Sequence, residues 1–307
     1  MSFTNYPNGV TSLGLPLVGS GSDIPVTITG TYFFVNSSTG SSGNTGLSPE
    51  ASVATITQAL AKCTDSKGDV IIVAPGYTET IATAGGLTVS KIGVSIIGLG
   101  RGSMRPTLTL SATDSTIAVS AADVLIKNIL CKGTVAELVT VFNVTAAGCT
   151  LDGVDFAGGA TSTIKFLTTS VAADFLTIQN CHHFTTAAVT ANAWWLQLTG
   201  CDDVVIRNNI LHIVTSNHAA SGCIGGLTTE SLRVCITNNR LINLGTSCLG
   251  LSMLASSTGT VAYNTLGNSK TNGVGSMQPA SCHFFENYET NETAKSGMLD
   301  PVTDTNA

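Results

Sequence analysis

The chain has 307 residues, of which 43% are hydrophobic and only 10% charged, with a formal net charge of −6 and a pI near 5.2. A globular chain usually carries about 25% charged residues, so this surface has to be covered by Ser, Thr, Asn and Gly, as in all-β proteins built for extracellular or virion conditions. The acidic balance and the lack of any basic run exclude a nucleic-acid partner, because phosphate binding needs clustered Lys and Arg. No run of about 18 apolar residues offers a membrane span.

Residues 1–30 carry Pro7, Pro16 and Pro25 among many Gly and Ser, with no helical period. They read as an extended arm held by a partner or a neighbouring subunit, with a short cap strand and a loose end as the equal alternative. No export signal opens the chain, since residues 1–20 lack a basic start and a sustained apolar core. Residues 31–67 read as a cap: a strand from Tyr32, a Gly/Ser/Asn loop and an amphipathic helix. Ser48 is the expected N-cap, with Pro49 at the first helical position and Glu50 at the positive end of the dipole. Val53, Ile56, Leu60 and Ala61 mark its buried face.

Residues 68–289 repeat one pattern of residue types. A polar or small lead-in precedes alternating apolar residues, then Asn or Gly, then more apolar residues. Asp202–Asp203–Val204–Val205–Ile206–Arg207–Asn208–Asn209–Ile210–Leu211 shows it most fully, and residues 123–130, 149–156, 174–181 and 232–241 repeat it. With the Asn or Gly as register mark, the series is 128, 153, 180, 208, 238, 264 and 287, at spacings of 25, 27, 28, 30, 26 and 23 residues. A period that stays in the twenties but drifts belongs to a solenoid of fixed rungs and variable loops. Each rung reads as a strand of about five residues that turns Val204, Ile206 and their equivalents inward. The Asn fall at the bend, where they tolerate left-handed backbone and stack into a ladder. Residues 131–140 and 215–228 read as loop insertions between strands. The architecture expected is all-β, a right-handed parallel β-helix. A β-sandwich is the alternative, against which stands the scarcity of hairpin signals. The polar segment 290–307 reads as a loose tail or short outer arm.

The order FFV-N-x-x-x-G-x-x-G-N-x-G-x-S-P, a short helix, then Gly68–Asp69–Val70–Ile71–Ile72–Val73–Ala74–Pro75–Gly76–Tyr77 resembles the opening of many right-handed β-helix proteins. These include pectate-lyase-like enzymes and phage tailspikes. With the rungs, the resemblance extends from Tyr32 to Tyr288. It implies the fold directly, and function only loosely, because this scaffold hosts lyases, hydrolases, adhesins and structural pieces. The phage side of the resemblance implies a structural virion protein: a homotrimeric capsid decoration or cement protein, assembled in the host cytoplasm. Its expected partner is the major capsid protein or another shell protein, bound through the arm. The other implied reading is a tailspike-type protein that binds or degrades a cell-surface polysaccharide.

Chemistry on such a scaffold needs carboxylates gathered on one face. Asp202 and Asp203 are the best local pair, but their place in a strand lead-in, shared with Asp123 and Asp174, favours turn chemistry over catalysis. Asp152 and Asp155 would point to opposite faces of a regular strand. Trp194 and Trp195 form the one bulky aromatic patch, a surface for stacking a sugar ring or a subunit, although alternation places at least one in the core. His182, His183, His212, His218 and His283 have no metal-ligand spacing; one of the first two should face solvent, and His183 and His212, three and four residues after their register marks, read as satisfied loop positions, with stacking across adjacent rungs as the alternative. No metal or cofactor is implied, and the reading favours a scaffold over an enzyme. Nine scattered Cys without a Cys-x-x-Cys pair read as buried reduced thiols, with Cys131, Cys149 and Cys235 in place of apolar residues. Such thiols point to folding in a reducing cytosol.

Overall fold

The computed structural model describes residues 30–158, 163–185, 193–214, 222–226, 228–244, 249–268 and 277–291, together with the backbone of 11–12 and 15–16, which pair antiparallel. The rest of the arm, and the tail beyond Asn291, lie outside the described residues.

The fold is a parallel β-solenoid. Three sheets of ten, nine and eight strands run along it among the described residues, and successive strands of the chain visit them in turn. One coil shows the pattern: Leu125–Lys127 lies in the first sheet, Leu130–Gly133 in the second and Phe142–Val144 in the third. Every pairing within these sheets is parallel, as between Val205–Arg207 and the strands at Thr177–Gln179 and Val234–Thr237. Parallel order throughout removes the sandwich alternative.

The core follows from register. Parallel pairing stacks like positions, so Phe33, Ile71, Ile96, Ile126, Leu151, Ile178, Ile206, Ile236 and Val261 form one continuous inward column of the first sheet, all buried. Each such side chain contributes about 1.5–3 kcal/mol by leaving water. Val204 and Ile206 are both fully buried, as their alternation requires.

The corner between the first two sheets holds two columns, where the sequence spacing shows one. The residue that bends the chain has left-handed backbone: Asn128, Gly153, Asn180, Asn208 and Asn238, then Tyr263 and Glu286. One residue later comes an inward column in which Asn209, Asn239, Asn264 and Asn287 are buried. There Asn239 Oδ1 accepts from the backbone N–H and the Nδ2 of Asn209 (3.1 and 2.9 Å), while Asn239 Nδ2 donates to Ile206 O (2.9 Å). Asn264 and Asn287 repeat the arrangement at intervals of 25 and 23 residues. The marks at 264 and 287 thus belong to the ladder, and those at 128–238 to the bend beside it.

A rung also holds more strand than its repeat suggests. Stretches expected as loop, 131–140 and 215–228, contain strand residues up to Gly133 and the whole of Gly222–Gly226. Short strands of three to five residues carry too few alternations to stand out. The helix is displaced as well. Ser48 opens only a single turn, to Ala51, because Val53 must be extended to bridge Val35 at the sheet edge. The helix is Ile56–Leu60, with Thr55 and Gln58 forming a reciprocal capping box. Ile56, Ala59 and Leu60 are its buried residues, in place of Ala61, which is exposed.

The two corner columns are expected to differ sharply on substitution. Asn239→Ala strands the two Asn209 donors and should cost at least ~2 kcal/mol, at 1–3 kcal/mol for each buried group left unpaired. Asn208→Gly, at the exposed bend, should stay within about 1 kcal/mol of the parent. Urea unfolding midpoints at constant slope measure both.

Candidate functional site

Asp202 and Asp203 occupy different columns. Register aligns Asp202 with Asp174, and Asp203 with Asp123. Asp174 Oδ1 accepts the Asp202 backbone N–H and Asp202 Oδ1 accepts that of Leu232, each at 2.8 Å. Asp203 takes the left-handed conformation (φ 56°), and its two oxygens face Arg233 Nε and Nη2 at 2.7 Å. The hydrogen bond from Arg233 holds the Asp203 carboxyl below its usual range. Each oxygen of this pair that a substrate would need is thereby directed at the next coil.

Asp152 and Asp155 are not on one strand. Gly153, in left-handed backbone, turns the chain between them, so Asp152 ends a strand of the first sheet and Asp155 begins one of the second. Lys127 Nζ lies 2.9 Å from Asp152 Oδ2 and Asn180 Nδ2 donates to Oδ1 (2.7 Å). Burial pushes the Asp152 pKa up, but the hydrogen bonds from Asn180 and Lys127 outweigh it and the carboxyl sits below its usual range. Arg105 ion-pairs with Asp155 and donates to Gly153 O (2.6 Å), and Asp155 Oδ1 accepts from His182 N–H (2.8 Å). Asp152, Lys127 and Asn180 line a shallow groove of about 390 Å³, together with Gly100, Arg101, Asn128 and Gly153. Its carboxylate is an anion fixed between donors, suited to holding structure and unsuited to delivering a proton.

Trp194 and Trp195 present no stacking surface: they are 3% and 1% exposed. The whole strand Trp194–Leu198 is buried on both faces. Trp194 lies over Gly222 and Gly225 of the next coil, where any Cβ would collide with its ring. Trp195 points into an aromatic cluster with Phe156 and Phe166. Its Nε1–H donates to His183 Nδ1 (2.7 Å), and His183 Nε2 lies 3.0 Å from Val154 O. With Trp195 donating to Nδ1, the proton of the neutral ring is on Nε2 and bonds that carbonyl.

This buried imidazole was not legible in the sequence, since nothing near His183 foretells a Trp partner 12 residues on. His182, by contrast, is exposed. His183 and His212 lie on strands rather than in loops, and they do not stack, because Phe184 pairs with His212 and places it on the other side of the strand.

Among the described residues, eight cysteines are free, and all but half-buried Cys235 are buried. Burial pushes the Cys63 and Cys181 thiols up to about 12 and Cys282 to about 11, so they are held as thiols rather than thiolate nucleophiles. No group of three or more His, Cys, Asp or Glu converges to hold a metal among the described residues.

Burial pulls the His183 pKa down to about 3, against about 6.5 in an unfolded chain. The unfolded state therefore binds the extra proton between these values, and stability is present above pH 6.5 and lost as pH falls toward 3. Below the unfolded pKa the loss should approach about 1.4 kcal/mol per pH unit. Half-buried His212 shifts in the same direction, first through burial. His183→Gln should therefore flatten the dependence of stability on pH between 6 and 5, as read by unfolding midpoints across that interval.

No protein-family model and no curated protein matches the sequence. Among solved structures, a rhamnogalacturonan lyase is similar at 14% identity and TM-score 0.43, over 79% of this chain and 75% of that one. The GH136 lacto-N-biosidase from Eubacterium ramulus is similar at 9% identity and TM-score 0.37, over 85% and 68%. ORF18 of Geobacillus virus E2 is similar at 12% identity and TM-score 0.28; the match covers 80% of this chain and 59% of that one. Likeness of this degree transfers no activity and no ligand.

Proposed function

We propose that this chain is a structural virion protein, a capsid decoration or cement subunit that residues 1–30 attach to the major capsid protein or another shell protein. In this reading it works as a homotrimer assembled in the host cytoplasm. The observation that carries the proposal is the engagement of the candidate chemistry. Asp152, Asp155, Asp202 and Asp203 are each bound to cations or backbone amides of neighbouring coils, and both Trp rings are buried. A solenoid whose reactive groups are spent on holding coils together suits a spacer or clamp. The tailspike reading needs a carboxylate oxygen left unengaged or an exposed aromatic platform, and the residues singled out for it supply neither.

Particles isolated from the native source should carry many copies of the chain, with chemical cross-links running from residues 1–30 to a shell protein. The pure protein should release neither reducing ends nor unsaturated products from cell-surface polysaccharides, and Asp203→Asn should change nothing. Cleavage that disappears in Asp203→Asn would replace the structural reading with the enzymatic one.

A further inference from the structure

One coil breaks the repeat at the corner between the first and second sheets. From Lys127 onward each coil turns this corner in three residues, Lys127 to Leu130, Asp152 to Asp155 and so on to Phe285 and Tyr288. The coil before them takes ten, from Ile97 to Thr107. Its extra length carries a single 3-10 turn, Gly102–Met104, exposed throughout, and it is fastened on both sides. Gly76 N–H of the coil before donates to Met104 O (2.7 Å). On the coils after, Asn128 Nδ2 donates to Gly100 O (3.0 Å), and Arg105 holds Asp155 and Gly153 O. This fixed projection walls the groove whose floor is the bend at Asn128, Gly153 and Asn180. Bonding between coils gives no reason for it, since the three-residue bends already satisfy that.

The groove keeps uncommitted polar groups of two kinds. Lys127 and Asp152 cancel each other across 2.9 Å, and Asp155 matches Arg105. Arg101, on the wall, is exposed and forms no ion pair among the described residues, so the groove holds an unmatched positive charge in a chain of net charge −6. Asn128 directs Nδ2 at Gly98 O and Gly100 O, and Asn180 directs its own at Asp152 Oδ1. Both amides are thereby oriented, and each Oδ1 is an acceptor with no donor among the described residues. The volume of about 390 Å³ falls among small-ligand clefts, which run roughly 300–1,000 Å³. No aromatic ring lines it, so a sugar has nothing to stack on. A complementary ligand brings a carboxylate for the guanidinium and N–H groups for the two oxygens, and an acidic peptide brings both.

We propose that this groove binds an acidic peptide segment, with Arg101 pairing a Glu or Asp carboxylate while Asn128 and Asn180 accept its backbone N–H groups. Placing that segment on a shell protein rests on the structural reading of the chain, and makes the groove a second contact beside the arm. Full-length protein titrated into dye-labelled tetraglutamate at low salt should bind it saturably, as read by fluorescence anisotropy. Arg101→Ala should weaken binding at least ~10-fold, through loss of a charge-assisted pair, and Arg101→Lys should weaken it less. Lys132→Ala, at an exposed position of the second sheet, should change nothing. Unlabelled tetraglutamate should displace the probe and tetraglutamine should not. Absence of saturable binding, or binding that Arg101→Ala leaves intact, would overturn the assignment. So would a galacturonate oligomer that displaces the probe at lower concentration than tetraglutamate, which would give the groove to an acidic sugar. No particle enters this experiment, so its failure leaves attachment through residues 1–30 standing, and failed cross-linking leaves the peptide binding to be read on its own.

Discussion

No coil of this protein satisfies its own backbone. Its strands are a few residues long and extended, so every N–H and C=O must find its partner in the coil before or after. Where parallel strands run straight, the ladder does this unaided. The corners are the weak points, because the chain turns there and buried amides without partners cost more than the bonds would return. In the later coils Asn209, Asn239, Asn264 and Asn287 carry the ladder round the bend: each Oδ1 accepts an N–H from the coil before, each Nδ2 donates to a carbonyl of that same coil, and the Nδ2 of the first three also donates to the Asn of the coil after. In the earlier coils the inward position is Ile129, Val154 or Cys181. At the first of those corners the outer Asn128 takes over, its Nδ2 donating to Gly98 O and Gly100 O (2.7 and 3.0 Å).

The same constraint decides what the carboxylates do. A solenoid repeats each turn, so it repeats each unpaired turn amide, and short acidic side chains are well placed to accept it. Asp155, Asp174 and Asp202 all accept a backbone N–H from the following coil. Their remaining charge is then met by cations one or two coils away, as with Arg105 and Arg233. Acidic residues can therefore recur on this surface without forming a catalytic group, since recurrence in register is itself the mark of a structural task. Reactive carboxylates would have to stand outside that register and keep an oxygen free.

What the sequence made legible follows from what repetition can display. The inward column containing Ile206 repeats in every coil and was readable, as was the position of the bend. The distinction between Asn208 and Asn209 was not, because both are Asn in the strongest repeat, and only backbone conformation separates a bend that favours Asn from a ladder that requires it. The second and third sheets were faint because strands such as Leu87–Val89 or Leu167–Thr169 are three residues long. The contact between Trp195 and His183 joins different sheets within one coil and has no counterpart elsewhere. Unique contacts of this kind leave no trace in a periodicity.

The ends of the solenoid bear on how copies can associate. A terminal strand exposes a row of unpaired groups onto which another parallel strand could add. At the N-terminal end this row is filled: Phe34 N–H donates to Gly46 O, Phe34 O accepts from Val53 N–H, and Asn36 N–H donates to Val53 O. The loop that supplies these partners leads directly into the helix Ile56–Leu60, which packs against the first strands. Another copy's last coil therefore cannot add to the first sheet at this end. Strand addition from copy to copy needs open edges at both ends, and in the first sheet this chain has closed one of them.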